Sequence, residues 1–267
     1  MVIPDSRNIP FAKVTACGND FIIIEAKHFR GEIDDLTRAI CDRNNGVGAD
    51  GVEWIYESAN ADARAHLINS DGSYAELSGN GTRCVAAWYC SEKRSDRAVI
   101  ETGAGLKVCT LTARDGAEFR FQTEMGNPVV QAPINLKLAS GEVRGVSVSM
   151  GNPHFVIFVD KFPPNWREVA KEVQMAKDIF PNSTNVEFVQ VIDDGKIEIR
   201  IFERGAGETM SSGTGSSAAA SASITVGRTK KVVTVVSPGG PQTVSWDEGE
   251  LLLDGPARIV CMGSYCL

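Results

Sequence analysis

Short runs of alternating apolar and polar residues, broken repeatedly by Gly, Asn, Asp or Pro, dominate the chain. That period-2 pattern predicts strands. In the first half strands are expected over 11–14 and 21–25, around the turn-like Ala16-Cys17-Gly18-Asn19-Asp20, and over 52–56 and 63–68, ending at Asn69-Ser70-Asp71-Gly72. Residues 34–41 read as a helix with Leu36, Ile40 and Cys41 on one side, and 106–113 and 118–123 as a hairpin about Asp115-Gly116. In the second half, 143–150 and 155–159 read as strands. Asn165 is the expected N-cap of a helix presenting Trp166, Val169, Ala170 and Val173. Residues 187–192 and 197–202 flank the turn 193–196. Further strands are expected over 232–236, 244–246, 251–254 and 258–262, with Pro238-Gly239-Gly240-Pro241 and Asp247-Glu248-Gly249 as breaks. Strands outnumber helices and do not alternate with them, so the class is α+β rather than βαβ.

The pattern occurs twice. Ser78-Gly79-Asn80-Gly81-Thr82 and Ser212-Gly213-Thr214-Gly215-Ser216 share Ser-Gly-x-Gly-hydroxyl at an offset of 134 (212 − 78), and each leads into a helix, over 83–92 and 217–226. Gly18-Asn19-Asp20-Phe21 and Gly151-Asn152-Pro153-His154-Phe155 echo each other at an offset of 133 (151 − 18), and Asn69 and Glu203 are again 134 apart (203 − 69). Repeats in the same order argue for a duplicated half and two similar domains. Met125-Gly126-Asn127-Pro128 and Ala132-Pro133 interrupt the strand pattern and mark the boundary, giving halves 1–125 and 126–256 with the last strand, 257–267, completing the first. A Gly-rich loop opening a helix leaves N–H groups unpaired at the positive end of the helix dipole, which suits a carboxylate. If the halves face one another, Ser78 and Ser212 flank one ligand.

At 267 residues each half has the length of an ordinary domain. A net charge of −7 argues against a nucleic-acid surface. The basic cluster Arg228-Thr229-Lys230-Lys231 directly follows the second helix and reads as cations complementing its C-terminus. No apolar run has the length of a membrane span, and residues 1–7 lack the apolar core of a signal peptide. Seven cysteines, odd in number and without Cys-x-x-Cys, fit free thiols and a cytoplasmic setting. His28, His66 and His154 are isolated, so no metal site is expected.

Gly46-Val47-Gly48-Ala49-Asp50-Gly51 matches Gly-x-Gly-x-x-Gly, but it follows a helix-like segment and precedes a strand, the reverse of a dinucleotide site. Taken singly, the Ser-Gly-x-Gly loops are ordinary helix caps, Glu203-Arg204 a surface ion pair, and Asn19, Asn152 and Asn185 turn formers. His154 has no carboxylate near it in sequence. The duplication favours a shared site, in which Arg204 holds a carboxylate and Glu203 an ammonium group.

Gly18-Asn19-Asp20-Phe21, Cys41-Asp42-Arg43 with 46–51, Asn69-Ser70-Asp71-Gly72-Ser73, Gly79-Asn80-Gly81-Thr82-Arg83-Cys84, Gly151-Asn152-Pro153-His154, Asn185-Val186 and Glu203-Arg204-Gly205-Ala206-Gly207-Glu208-Thr209 together resemble diaminopimelate epimerase over essentially the whole chain. The resemblance implies two pseudo-symmetric strand-rich domains, each wrapped around a central helix and facing each other across the substrate. It also implies a homodimer and cofactor-independent 1,1-proton transfer at Cα, converting LL- to meso-diaminopimelate in lysine and peptidoglycan biosynthesis. By position, Asn19, Asn69, Asn152, Asn185, Glu203 and Arg204 would contact the amino-acid ends of the substrate. Gly79-Asn80 and Gly213-Thr214 would bind the reacting carboxylate through backbone N–H groups.

The family's acid and base are two cysteines, and this sequence carries Ser78 and Ser212 in those positions. Serine is a far weaker acid than cysteine, and losing one general acid or base costs roughly 10²–10⁴ in rate. Three accounts stand: a divergent isomerase, of diaminopimelate or another carbon acid; an amino-acid-binding homologue without catalysis; and a deliberate isosteric replacement. Asn45, Cys17, Ser211, Ser216 and Ser217 are further departures that suit divergence. A serine hydrolase ranks behind these, because neither serine has recognisable His/Asp partners. Cys17, beside Asn19, is either a displaced catalytic thiol or a small buried hydrophobe.

Overall fold

The computed structural model describes residues 8–247 and 249–267. The stretch 1–7, read above for a leader, and Glu248 of the 247–249 break lie outside them. The chain forms two compact units: residues up to Thr123 together with Gly255–Leu267, and Glu124–Asp254.

In the first unit the elements are β1 (Asn8–Ala16), β2 (Asn19–Glu25), α1 (Ile33–Cys41), β3 (Gly51–Tyr56), β4 (Ala63–Asn69), β5 (Tyr74–Ala75), α2 (Gly79–Lys93), β6 (Arg97–Thr102), β7 (Gly105–Asp115) and β8 (Glu118–Glu124). Chain order then runs through β9 (Val129–Val130), β10 (Ile134–Leu138), β11 (Gly141–Ser149), β12 (Pro153–Phe158), α3 (Trp166–Met175), β13 (Asn185–Asp193), β14 (Lys196–Glu203), β15 (Gly207–Thr209), α4 (Gly213–Thr225), β16 (Val232–Ser237), β17 (Gly240–Ser245) and β18 (Leu252–Cys266).

The first unit is a closed ring. Its order is β1-β2-β3-β4-β6-β7-β8-β18 and back to β1, with β2–β3 and β4–β6 parallel and β1–β2, β3–β4, β6–β7, β7–β8 and β1–β18 antiparallel. Helix α2 runs inside it, burying Cys84, Val85, Ala86, Ala87 and Cys90 against Phe21, Ile23, Leu67, Ile100, Phe119 and Phe121. Helix α1 covers the outside of β2 and β3, where Leu36 and Ile40 meet Ile22, Ile24, Val52, Trp54 and Ile68. The run Phe21-Ile22-Ile23-Ile24 thus serves two cores, odd positions inward and even ones outward, as a strand covered on both faces requires.

The second unit repeats the scheme. Its sheet runs β9-β11-β12-β13-β14-β16-β17-β18, and Leu251 bridges the remaining gap to residues 125–126, accepting from Met125 N (2.9 Å) and donating to Gly126 O (3.0 Å). Helix α4 lies within, and α3 covers the outer face through Trp166, Val169, Ala170 and Val173. Helix α4 is buried all round, and small side chains make that possible: Ala218, Ala219, Ala220 and Ala222 are fully buried. Its buried hydroxyls bond back along the helix, Ser217 to Gly213 O (2.8 Å) and Ser223 to Ala219 O (2.8 Å).

Several expectations change. Both central helices begin at the first glycine of their loops, at 79 and 213 rather than 83 and 217, because the serine caps stabilise the Gly-rich first turn. The expected strands 251–254 and 258–262 are one strand, β18, whose pairing passes from β17 to β1. The hairpin β10–β11 includes a strand at 134–138 that Pro133 concealed. Asn165 is the N-cap of α3, but its side chain makes no capping bond. The basic cluster does not serve the end of α4: Arg228 lies over Phe158 (4.6 Å to the ring centroid), Lys230 pairs with Asp194 (2.7 Å) and Lys231 with Asp247. The 46–51 stretch closes α1, with Val47 N and Gly48 N both bonding Ile40 O (2.9 and 3.0 Å) and Gly48 at φ +78. Among the described residues no helix is long and apolar enough to cross a membrane.

All-round burial of α4 leaves no face for a larger side chain. Ala219→Leu is therefore expected to destabilise by about 1–3 kcal/mol, the usual cost of overpacking, read as a lower urea midpoint.

Candidate active site

The two Ser-Gly-x-Gly loops adopt the same cap. Ser78 (φ −122, ψ 120) accepts from Gly81 N through Oγ (3.0 Å), and Ser212 (φ −144, ψ 128) accepts from Gly215 N (3.2 Å). Their carbonyls take Thr82 N (2.8 Å) and Ser216 N (2.9 Å). Each cap thereby satisfies the third residue of its helix and leaves the first two. The N–H groups of Gly79, Asn80, Gly213 and Thr214 have no hydrogen-bond partner among the described residues. Two unpaired donors at each helix end, aligned with the dipole, are an arrangement that suits an anion.

In the first unit, strand register brings the predicted residues to one end of the ring. Phe21 is level with Gly51 and Gly51 with Asn69, so Asn19, Asp50 and Asn69 sit at adjacent strand ends. The Asn19 side chain donates to Asp50 (3.0 Å) and accepts from Asn80 (2.7 Å). Asn80 in turn accepts from the fully buried Arg83, whose guanidinium also donates to Cys17 Sγ (3.7 Å). Asp50 continues the chain to Arg43 (2.8 Å), and Arg43 and Lys13 hold Asp20. Burial works against the Asp20 carboxylate, but the hydrogen bonds from Arg43 and Lys13 outweigh it and keep it below the usual range. Asn69 is turned into its own turn, donating to Ser73 Oγ (3.0 Å). Cys17, buried at φ +49, occupies the β1–β2 turn against the arginine.

The second unit has its own version. His154 is level with Asn185, and Val186 with Phe202, which puts Asn152, Asn185, Glu203 and Arg204 at one end of the sheet. Asn185 donates to Pro153 O (3.0 Å) and accepts from Arg204 N (2.9 Å), while Arg204 Nη1 bonds Asn182 O (3.1 Å). Glu203 accepts from Thr209 (2.7 Å). Burial pushes the Glu203 carboxyl up and Glu187 adds to this, against the opposing pull of the Thr209 hydroxyl and His154. His154 has no carboxylate near it in sequence, but the fold supplies one. Its Nδ1 bonds Glu187 Oε1 (2.7 Å), both groups fully buried, and its Nε2 meets Asn152 Oδ1 (3.0 Å). The partner is distant in sequence and adjacent only through the parallel pairing of β12 with β13.

Residues 11–131 and 146–264 match the diaminopimelate epimerase family. A diaminopimelate epimerase of Carboxydothermus hydrogenoformans is 37% identical, covering 96% of this chain and 99% of its own. One of Pelotomaculum thermopropionicum is also 37% identical, over 96% and 98%. The chain belongs to the diaminopimelate epimerase family. It is an isomerase by that membership. Among solved structures, a PhzF-family phenazine biosynthesis protein of Bacillus anthracis superposes with a TM-score of 0.73 at 17% identity, over 98% of this chain and all of that one. A hydroxyproline epimerase of Agrobacterium vitis superposes with a TM-score of 0.72 at 17% identity, over 99% and 94%. At these identities the likeness is one of fold, and it confirms the two-domain α+β class.

Two buried carboxyls of this family member escaped the sequence reading. Glu53 and Glu187 are 134 apart (187 − 53), within Val52-Glu53-Trp54 and Val186-Glu187-Phe188. Both strands send the flanking residues to the outer core, so each glutamate points inward to the central helix. A side chain on Gly81 would overlap Glu53 Oε1, and one on Gly215 would sit 3.0 Å from Glu187 Oε1, so each glycine lets the start of its helix lie close against an inward glutamate. A charge within an otherwise apolar strand, repeated at the known offset, was the available signal. The open hollow of about 500 Å³ lined by Tyr56, Arg64, His66, Tyr74 and Glu101 contains none of these residues. Among the described residues no cluster of His, Cys, Asp and Glu could hold a metal ion.

Burial pushes the Glu53 carboxyl up to about 8. The folded protein therefore holds a proton that the unfolded chain releases in the usual carboxylate range. Glu53's contribution to stability falls as pH rises from that range to about 8 and is flat beyond it. Melting curves of the protein and of Glu53→Gln across this window should diverge, the variant losing less stability with rising pH.

Proposed function

We propose that the protein transfers a proton at the α-carbon of a free amino acid, with LL- and meso-diaminopimelate as its substrates. The observation that carries this reading is the pair of serine-capped helix ends, each with two unpaired N–H groups where the family binds a carboxylate. In the reading, Gly79-Asn80 and Gly213-Thr214 receive the reacting carboxylate. They also stabilise the charge that moves into it as the Cα proton leaves, often the largest single catalytic term. Asn19, Asn69, Asn152, Asn185, Glu203 and Arg204 serve the amino-acid ends of the substrate. Ser78 and Ser212 stand in the acid/base positions. The chemistry uses no cofactor, since the carbanion is held by hydrogen bonds. A cytoplasmic homodimer in lysine and peptidoglycan biosynthesis is the setting the family suggests.

A second reading, an amino-acid-binding protein without catalysis, is favoured by one observation: both serine Oγ atoms are already occupied as cap acceptors (3.0 and 3.2 Å). Loss of Cα–H signal from LL-diaminopimelate in D₂O separates the two. Under the catalytic reading the chain exchanges the proton slowly, and Ser78→Cys/Ser212→Cys raises the rate by roughly 10² or more, the usual worth of a general acid or base. Exchange confined to the double variant leaves the binding reading. No exchange in either chain removes diaminopimelate as the substrate.

A further inference from the structure

We propose that Glu53 is the proton partner of Ser78, a buried carboxylic acid that supplies and recovers the proton a serine hydroxyl alone cannot hold or release. The inference rests on the proton-transfer reading above and deepens it by naming what replaces the acidity of the family's thiol.

The geometry lies wholly within the first unit. Glu53 points inward from β3, and its Oε1 abuts Gly81, in space that a Gly81 side chain would fill. Ser78 Cβ lies 3.1 Å from the point a Gly81 Cβ would occupy, so carboxyl and serine meet on one side of this glycine. Glu53 is 3% exposed and has no hydrogen-bond partner among the described residues. The ionisable groups packed around it do not neutralise it. Arg83 of α2 is bonded to Asn80 and Cys17, Cys84 is a buried thiol raised by burial, and the register neighbours on β2 and β4 are Ile23 and Leu67. Asp20 is held by Arg43 and Lys13. The equivalent Glu187 has His154 for a partner; Glu53 has none.

A buried carboxyl without a partner keeps its proton near neutral pH, which suits exchange in either direction. Ser78 Oγ has the capacity for it. One lone pair accepts from Gly81 N, which leaves a second lone pair and the O–H. In the donating direction the Ser78 O–H bond breaks as the proton goes to the Cα carbanion and a Cα–H bond forms. The Glu53 O–H bond breaks as its proton goes to Ser78 Oγ, leaving a carboxylate. In the accepting direction both protons run back. Nothing is oxidised or reduced. The two groups stop short of a hydrogen bond in the structure, so the transfer requires the carboxyl to close on the serine.

The test is a double-mutant cycle on the full chain, with diaminopimelate Cα–H exchange in D₂O as the rate. Glu53→Gln keeps the shape and removes the exchangeable acid. In the Ser78 background it should slow exchange by roughly 10² and abolish a limb of the pH profile near 8. In the Ser78→Cys background, where a thiol ionises unaided, it should change the rate only a few-fold. Glu53→Met provides the same comparison if the glutamine variant does not fold. Equal losses in both backgrounds would mark Glu53 as structural and overturn the proposal. No loss in the Ser78 background overturns it while the proton-transfer reading stands. Exchange confined to the Ser78→Cys background shows that the serine moves no proton, and the proposal falls while the substrate site survives. No exchange in any variant sinks the reading and the proposal together.

Discussion

A helix enclosed by strands must account for its first N–H groups without bulk water, and this constraint governs both halves of the molecule. Serine answers part of it by capping the third residue, and glycine answers the rest by letting the loop lie close to the strands beside it. What remains are two donors per helix, aimed along the dipole, with no partner among the described residues. A fold that seals a helix in a sheet and caps it this way leaves donors suited to an anion as a by-product of satisfying its backbone. The small residues of α4 follow from the same enclosure, since larger side chains would not fit between that helix and its strands.

Around each loop the polar side chains form a scaffold rather than a loose set of contacts. In the first unit a continuous line runs from buried Arg83 through Asn80, Asn19 and Asp50 to Arg43, fixing the turn, the strand end and the helix start in one network. In the second unit Asn152, His154 and Glu187 form the corresponding line. The units share a plan but differ where charge is concerned, since one inward glutamate has an imidazole beside it and the other does not. Duplication supplied the shape, and divergence has made the two halves electrostatically distinct.

Much of this was legible in the sequence because the repeat is written in residue types with narrow uses. Ser-Gly-x-Gly specifies a cap, Asp115-Gly116 a hairpin, and the Phe21-Ile24 run a strand. What escaped lay in contacts between distant positions. His154 and Glu187 are neighbours only through a parallel pairing, and Asn19 and Asn80 only because α2 enters the ring at that end. Glu53 was hidden for another reason. A lone acid in an apolar strand reads as a surface residue unless the covering of both faces is already known. The helix starts were misplaced because glycine argues against helix on propensity, and the cap overrides it.

Strand β18 carries a consequence for how the protein comes into being. Strand β18 lies beside β1, with Asn8 level with Cys266 and Ile9 with Tyr265, and it closes the ring of the first unit. During synthesis the first unit emerges early yet lacks the strand that completes its ring, while Glu124–Asp254 is whole before the rest of β18 is made. Maturation therefore runs against chain order, and the first unit waits with two open edges, β1 and β8, for β18. Edges of that kind invite pairing with other chains. For this protein the vulnerable interval is set by the time needed to translate the second half.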